Sequence, residues 1–301
     1  MLRADDSIRH TSLRRRPQLH PAPWRYGHAC RLAFLGRHGV VAPDLPKRQR
    51  QVAGLGLLGA ALIAATQALS LHHPATAKVV GDWLPGLLML VVYWQACRFF
   101  GTPLGTPNDT LNDKLQAWLV EFDRRRLGTL LEHWAARWST TWIGSYFELA
   151  YLFCYALIPC GVGVLYWAHQ RSAIDQYWAT VLPASYLCYG LVPFAQTLPP
   201  RLLPGAGRAP SARQPIHSLN LFILRHASIH LNTFPSAHVA ATVGASLVLL
   251  QWVPAAGVLF LLIALSIAAG AVLGRYHYAL DVILGALLPL CLRGLLGQSR
   301  S

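Results

Sequence analysis

The feature that most restricts how this chain can fold is a series of long apolar blocks. They cover residues 52–71, 83–100, 142–167, 177–194, 239–253, 258–273 and 279–295. Blocks of this kind can cross a hydrocarbon layer roughly 30 Å thick as helices. Charged residues make up only 13% of the chain, against about 25% in an average soluble domain. We therefore expect an all-α, polytopic transmembrane bundle of about six to seven spans, and not a soluble enzyme, a disordered chain or a fibrous repeat.

The N-terminal flank is strongly basic. Residues 1–51 hold eleven of the 26 lysines and arginines but three acidic residues, in a chain of net charge +14. A positive flank before the first span is typical of cytoplasmic anchoring. No aromatic-interleaved pattern accompanies the charge, so nucleic-acid binding is not expected. The apolar block that follows is too long for a cleaved signal peptide. Few methionines and many alanines, leucines and arginines favour a multi-pass protein of a bacterial inner membrane.

Four regions follow from these patterns. Residues 1–51 form the basic cytoplasmic flank, 52–141 two spans and an interfacial helix, 142–295 a catalytic membrane core, and 296–301 a tail. The interfacial helix is predicted because several apolar residues fall on one helical face after a cap at residues 108–110. These apolar residues are Leu111, Leu115, Trp118, Leu119 and Phe122. A small soluble hairpin is the alternative for this stretch.

A buried acid stands close to a histidine near the C-terminal end. No carboxylate occurs between Asp175 and Asp281, and Asp281 opens an otherwise apolar block four residues after His277. Charge inside a membrane is costly and therefore points to function. We expect the pair to share one helical face, where the carboxylate fixes the imidazole tautomer and leaves the second nitrogen free. A purely structural buried pair is the alternative.

A second cluster precedes the fifth block. Pro235, Ser236 and His238 stand where a helix is expected to begin, so Ser236 and neighbouring amides can form an anion cradle. The cluster could also be an ordinary helix cap. One helical hairpin separates His238 from His277, so both histidines must meet the same side of the membrane. The loop carrying Arg201 must emerge there too.

Two histidines, an acid, a serine and an arginine on one surface suit phosphoryl transfer. The transition state spreads negative charge over three oxygens, which arginine and amide donors stabilise. One histidine can attack phosphorus while the other protonates the leaving oxygen. The scarcity of carboxylates argues against a magnesium site, and we expect no metal and no cofactor.

The order of these motifs resembles the type 2 phosphatidic acid phosphatase superfamily. Pro235-Ser236-Ala237-His238 is similar to its second motif, Pro-Ser-Gly-His, and His277 to Asp281 matches the His-x-x-x-Asp end of its third. The resemblance covers about residues 142–295. It implies a lipid phosphatase or phosphotransferase in which His277 becomes a phosphohistidine and Asp281 orients it. It also implies that His238 is the general acid and then base, and that Ser236 holds phosphoryl oxygens.

The chain departs from the family pattern in two places. The first motif, Lys-x6-Arg-Pro, is absent, and Arg201 in Pro199-Pro200-Arg201 is the closest replacement. Gly270 and Ala271 occupy the Ser-Arg positions of the third motif, so Arg275 is expected to supply that phosphate-binding guanidinium. The short His-Tyr-x-x-Asp form is similar to the inositol phosphorylceramide synthase-like (inositolphosphotransferase) branch, which transfers a phospho-headgroup between lipids.

Other function classes leave different marks on a sequence. A transporter is expected to spread polar groups through several spans, often with repeat symmetry, and neither occurs here. A metal-dependent membrane oxidoreductase needs many histidine ligands, and His226 and His230 form the single His-x-x-x-His. The expected partners are a phosphorylated lipid and the bilayer. Two expectations differ on the face to which the site opens. The basic flank with seven crossings predicts the cytoplasmic side, whereas the family resemblance implies the outer face, where bacterial members commonly work.

Overall fold

The computed structural model describes residues 45–96, 98, 107–203, 215–226 and 232–298. Within these ranges the chain forms nine α-helices, two short 3-10 turns and one isolated bridge between Thr197 and Asn232. The helices are α1 (Leu45–His72), α2 (Pro74–Ala96), α3 (Pro107–Arg137), α4 (Trp142–Trp167), α5 (Ile174–Leu191), α6 (Pro215–His226), α7 (Ala237–Trp252), α8 (Pro254–Leu273) and α9 (Ala279–Gln298). The expected helical membrane bundle is confirmed.

Four helices of the described ranges are long and apolar enough to cross a membrane: Lys47–His72, Pro74–Ala96, Trp142–Trp167 and Pro254–Leu273. Helix α7 is apolar but shorter. Each of the seven expected blocks overlaps a helix of the described ranges, including α5 and α9. Many large apolar side chains on α1, α2, α4 and α8 are exposed. Such a surface is stable only against an apolar solvent, so the chain is a membrane protein.

The second span begins earlier than expected, at Pro74 instead of residue 83, and only His73 separates it from α1. Two charged residues near the start of α2 interrupt the apolar pattern, so the sequence did not show where this helix begins. Asp82 is held by Arg171, with the guanidinium Nε 2.6 Å from Oδ2, and it accepts a hydrogen bond from the Tyr166 hydroxyl. The two contacts tie α2 to the end of α4 and to the turn that follows it.

Helix α3 has two contrasting faces. A buried face carries Asn112, Gln116, Leu119 and Asp123, while Leu111 and Trp118 on the next stripe are 60% and 53% exposed. Leu119 lies at the inner edge of the expected apolar stripe and is buried beside the polar residues. The helix is one continuous element from Pro107, so the soluble hairpin is wrong, and residues 108–110 lie in its first turn instead of capping it. An outward apolar stripe suits a helix that lies on lipid.

Helix α7 occupies the centre of the bundle. It contacts α4, α5, α8 and α9, and almost every residue from Ala237 to Leu249 is buried. Tyr177, Val248 and Ile267 belong to the largest apolar cluster around it. Because α7 is held on all sides, the residues of its first turn have fixed positions, and His238 is one of them.

Candidate active site

His238 lies in the first turn of α7, as expected, inside a ring of aromatic side chains. The centroid of its imidazole is 5.8 Å from that of Tyr151 and 5.3 Å from that of Tyr155, both in edge-on contact. The imidazole of His277 lies 6.0 Å away, centroid to centroid, at an interplanar angle of 81°. The structure thus brings together the two histidines that are far apart in the sequence, at a separation that leaves room for a group between them.

Asp281 faces His277, but not because both lie on one helical face. Helix α9 begins at Ala279, so His277 precedes it and only Asp281 lies in its first turn. The carboxylate accepts a hydrogen bond at Oδ2 from the Tyr278 backbone N–H at 2.9 Å, as in a capping box. The same oxygen is 3.5 Å from His277 Nδ1, slightly longer than a hydrogen bond. The helix start therefore positions the acid, and the acid faces Nδ1 of the histidine.

Ser236 immediately precedes α7 in an extended conformation, which is the geometry of a helix cap. Its hydroxyl makes no capping bond, and the N–H of the first helical residue, Ala237, donates to Thr233 Oγ1 at 3.4 Å. The Ser236 N–H donates to the Asp281 carbonyl at 2.9 Å, which joins the two motifs. A Cβ at Gly285 would lie 2.5 Å from the Ser236 carbonyl oxygen, so only glycine allows α9 to approach this closely.

Three polar atoms of this cluster are buried without a hydrogen-bond partner among the described residues. They are Ser236 Oγ, His277 Nδ1 and Asp281 Oδ1. Ser236 and Asp281 have no exposed surface, and His277 is 5% exposed. Buried polar atoms are nearly always paired in native proteins, and exceptions often have a catalytic role. Their concentration here supports a site that binds a polar group.

Arg201 reaches the same site from the loop after α5. Its backbone N–H donates to the Arg275 carbonyl at 3.1 Å, and its guanidinium carbon lies 5.4 Å from the centroid of the Tyr276 ring. Tyr276 in turn stacks on Tyr151, with centroids 4.2 Å apart. Burial lowers the pKa of Arg201. A cation held in such surroundings gains from a bound anion, which makes Arg201 a suitable phosphate ligand.

Arg275 occupies a tight turn at the end of α8, where its φ of 58° is unusual for a residue other than glycine. Its carbonyl receives the Arg201 N–H, so the turn helps to position that arginine. Its charge also lowers the pKa of Asp123, opposing the effect of burial. Direct binding of phosphate by Arg275 stays a prediction.

The role of α3 in holding the site was not predicted from the sequence. Gln116 contacts the Tyr278 hydroxyl, and its Oε1 accepts from the Leu198 N–H at 2.7 Å. Asn112 Oδ1 accepts from the Gln196 N–H at 3.1 Å. Helix α3 therefore fixes both the loop that leads to Arg201 and the residue next to His277. The helical spacing of Asn112, Gln116 and Asp123 was the available signal, because these polar residues form one stripe.

Asp123 is a second acid at the site that the sequence analysis did not single out. It is 8% exposed, and its Oδ1 accepts from the Ala279 N–H at 3.1 Å. Burial raises the pKa of this carboxyl to about 6, and the charge of Asp281 acts in the same direction. Asp123 therefore holds the start of α9 from the side of α3.

Glu148 is the centre of a buried polar network. Its carboxylate lies 2.9 Å from His217 Nδ1 and accepts from Asn220 Nδ2 at 2.6 Å and from the Tyr276 hydroxyl at 2.5 Å. His217 and Asn220 belong to α6, which thereby becomes attached to α4. Tyr276 precedes His277, so the network also restrains the site loop.

The described residues hold no group of three or more histidine, cysteine, aspartate or glutamate side chains suited to a metal ion. His230 and the side chain of His226 lie outside the description. The predicted site residues that the structure brings together are Ser236, His238, His277, Asp281 and, through Tyr276, Arg201.

Comparison with known proteins gives one match. Neither the curated proteins nor the solved structures contain a match to this chain. The model of the PAP2 superfamily matches residues 117–293, which is more than half of the chain. The matched region runs from the middle of α3 into α9 and includes both His238 and His277. The chain therefore belongs to the PAP2 superfamily.

Proposed function

We propose that the protein is an integral membrane phosphatase or phosphotransferase that acts on a phosphorylated lipid through a phosphohistidine at His277. Membership of the PAP2 superfamily supports phosphatase-type chemistry on lipids. The observation that carries the proposal is the pair of imidazoles 6.0 Å apart, beside unpartnered Ser236 and Asp281 atoms. The distance suits two groups that act on opposite sides of one phosphorus atom.

In the first step, His277 Nε2 attacks phosphorus. A P–N bond forms while the P–O bond to the lipid breaks, and His238 gives its proton to the leaving oxygen. Asp281 faces Nδ1 and stabilises the charge that develops on the ring. The Ser236 hydroxyl and the Arg201 guanidinium hold the phosphoryl oxygens.

In the second step, an acceptor hydroxyl opens the phosphohistidine. His238 removes the acceptor proton, the new P–O bond forms and the P–N bond to His277 breaks. Water as acceptor gives a phosphatase and a lipid alcohol gives a transferase. Transfer is the second candidate function, and the short His277-Tyr278-x-x-Asp281 motif favours it.

The experiment measures phosphate release by purified protein in detergent from an alkyl phosphate and from a nitrophenyl phosphate, with EDTA present. We expect turnover that vanadate inhibits. His277→Ala abolishes turnover of both substrates, whereas His238→Ala slows the alkyl ester more, because nitrophenolate leaves without a proton. Adding a lipid alcohol tests for transfer. Substantial turnover by His277→Ala would overturn the proposal.

A further inference from the structure

An apolar groove of about 720 Å³ leads away from the candidate active site. Most of its lining comes from α2 and α4, while α5, α6 and α7 contribute the remainder, including His238 at one end. Trp83 and Trp178 line the other end, and Leu90 and Ala156 lie between them on opposite walls. The volume is within the range of about 300–1,000 Å³ that is typical of ligand sites. Apart from His238, the lining consists almost entirely of aliphatic and aromatic side chains.

The groove has the length of a hydrocarbon chain in one leaflet. Its α2 wall extends from Trp83 to Trp94, and its α4 wall from Leu149 to Pro159. At a helical rise of 1.5 Å per residue, each wall is about 15 Å long, or roughly half the hydrocarbon layer. Trp83 stacks with Tyr166, at the far end of α4 from Leu149. The two helices are therefore antiparallel, and the groove runs along both of them.

One side of the groove is open. Leu87 and Leu149, which line it, are 53% and 50% exposed. These residues belong to helices that are long and apolar enough to cross the membrane. An opening between such helices faces the bilayer, so a lipid tail can enter sideways while its phosphate reaches His238.

We propose that this groove binds the hydrocarbon tail of the substrate, and that α2 sets which tails are accepted. The inference rests on the proposed function, since it assigns the phosphate of the same lipid to the histidines. Helix α2 lies outside residues 117–293, which match the PAP2 superfamily. Selectivity for the tail is thus supplied by an element that this chain adds to the family region. The occupant is one aliphatic or isoprenoid chain, because most of the lining is apolar and its tyrosines, Tyr93, Tyr155 and Tyr189, present ring faces as well as hydroxyls.

Leu90→Trp narrows the groove without touching the histidines, and Val79→Trp is its matched control. Val79 lies on the same side of α2, one turn beyond the groove, and is 42% exposed against 40% for Leu90. Leu90→Trp is expected to lower kcat/KM for hexadecyl phosphate about tenfold or more, and to change kcat/KM for phenyl phosphate by less than about twofold. Ala156→Leu, on the α4 wall, should show the same selectivity. Val79→Trp should change neither value.

Binding of hexadecylphosphonate, which is not hydrolysed, tests the groove without turnover. Calorimetry in detergent should show about tenfold weaker binding to Leu90→Trp than to Val79→Trp. If the parent protein hydrolyses neither phosphate, the proposed function fails. The binding result alone then tests whether the groove holds a hydrocarbon tail. Equal effects of Leu90→Trp and Val79→Trp would overturn the inference. A covalent dimer formed through a photoreactive residue at position 90 would assign the groove to a second copy and would also overturn it.

Discussion

Ser236 has a structural role through its backbone and a separate chemical role through its side chain. Its backbone N–H joins α7 to α9 through the Asp281 carbonyl, whereas its hydroxyl has no partner among the described residues. The hydroxyl is therefore available for a substrate oxygen, and its removal should cost the fold little.

Ser236→Ala is expected to lower kcat/KM about 10- to 100-fold, since one hydrogen bond to the charged transition state is lost. The melting temperature should hardly change, because the substitution leaves no partner unpaired and small unpartnered changes stay within about 0.5 kcal/mol. Ser246→Ala within α7 is the control: that hydroxyl is also buried, but it donates to the Thr242 carbonyl at 2.7 Å. An equal loss of activity in both variants would contradict the role of Ser236.

Asp123 gives the stability of the protein a predictable dependence on pH. Its folded pKa of about 6 lies above the usual value of about 3.9, so the folded state binds the extra proton. Below pH 4 the carboxyl is protonated in both states and costs nothing. As the pH rises from 4 to 6 the unfolded state ionises first, and stability falls by about 3 kcal/mol at most.

Asp123→Asn removes this ionisation but keeps an oxygen that can accept from the Ala279 N–H. The variant should therefore melt at a higher temperature than the parent at pH 7.5, and the difference should vanish near pH 4. Thermal melting in detergent at both pH values measures the effect. A difference that is equal at the two pH values would show that ionisation of Asp123 is not its cause.

At the scale of elements, one carboxylate joins α6 to both α4 and the site loop. Glu148 of α4 binds His217 and Asn220 of α6 and also the Tyr276 hydroxyl. Leu224 adds an apolar contact with the cluster of Tyr151, Ala271 and Tyr276. The position of α6 beside the site thus depends on a polar network that is sealed from solvent.

Glu148→Ala leaves several buried polar groups unpaired and is expected to destabilise the protein by about 3 kcal/mol. Backbone amides of α6 should exchange with deuterium at least about tenfold faster, while those of α7 keep their protection. Tyr146→Phe is the control. Tyr146 lies on the same helix as Glu148, but the bond that this substitution removes, to Ser266, is exposed. Unchanged exchange in α6 would contradict the role of this carboxylate.

Helix α3 shows why part of the site escaped prediction. Its amphipathic pattern is visible in the sequence, but a membrane allows an apolar stripe to face lipid instead of protein. Leu111 and Trp118 face outward, and the polar stripe of Asn112, Gln116 and Asp123 packs on the site. The contacts of these residues join positions about 80 to 160 apart in the chain, which local periodicity does not reveal.

At the scale of the whole molecule, the sequence predicted the bundle because long apolar blocks have one stable solution in a membrane. It also predicted that His238 and His277 meet, because one helical hairpin returns the chain to the same surface. It did not predict that His277 precedes α9, since the i, i+4 spacing alone is equally typical of a helix. The groove along α2 was hidden because it depends on how an N-terminal hairpin packs on the family region.

The central claim is that His277 carries the phosphoryl group, and trapping the intermediate tests it most directly. His238→Ala with phosphorus-labelled nitrophenyl phosphate should accumulate a phosphoenzyme, because the good leaving group permits formation while loss of the base slows breakdown. After an alkaline quench, which preserves phosphohistidine, mass spectrometry should find the label on His277, and His238→Ala/His277→Ala should carry none. Label on Ser236, or turnover with no covalent intermediate and inversion at phosphorus, would contradict the account.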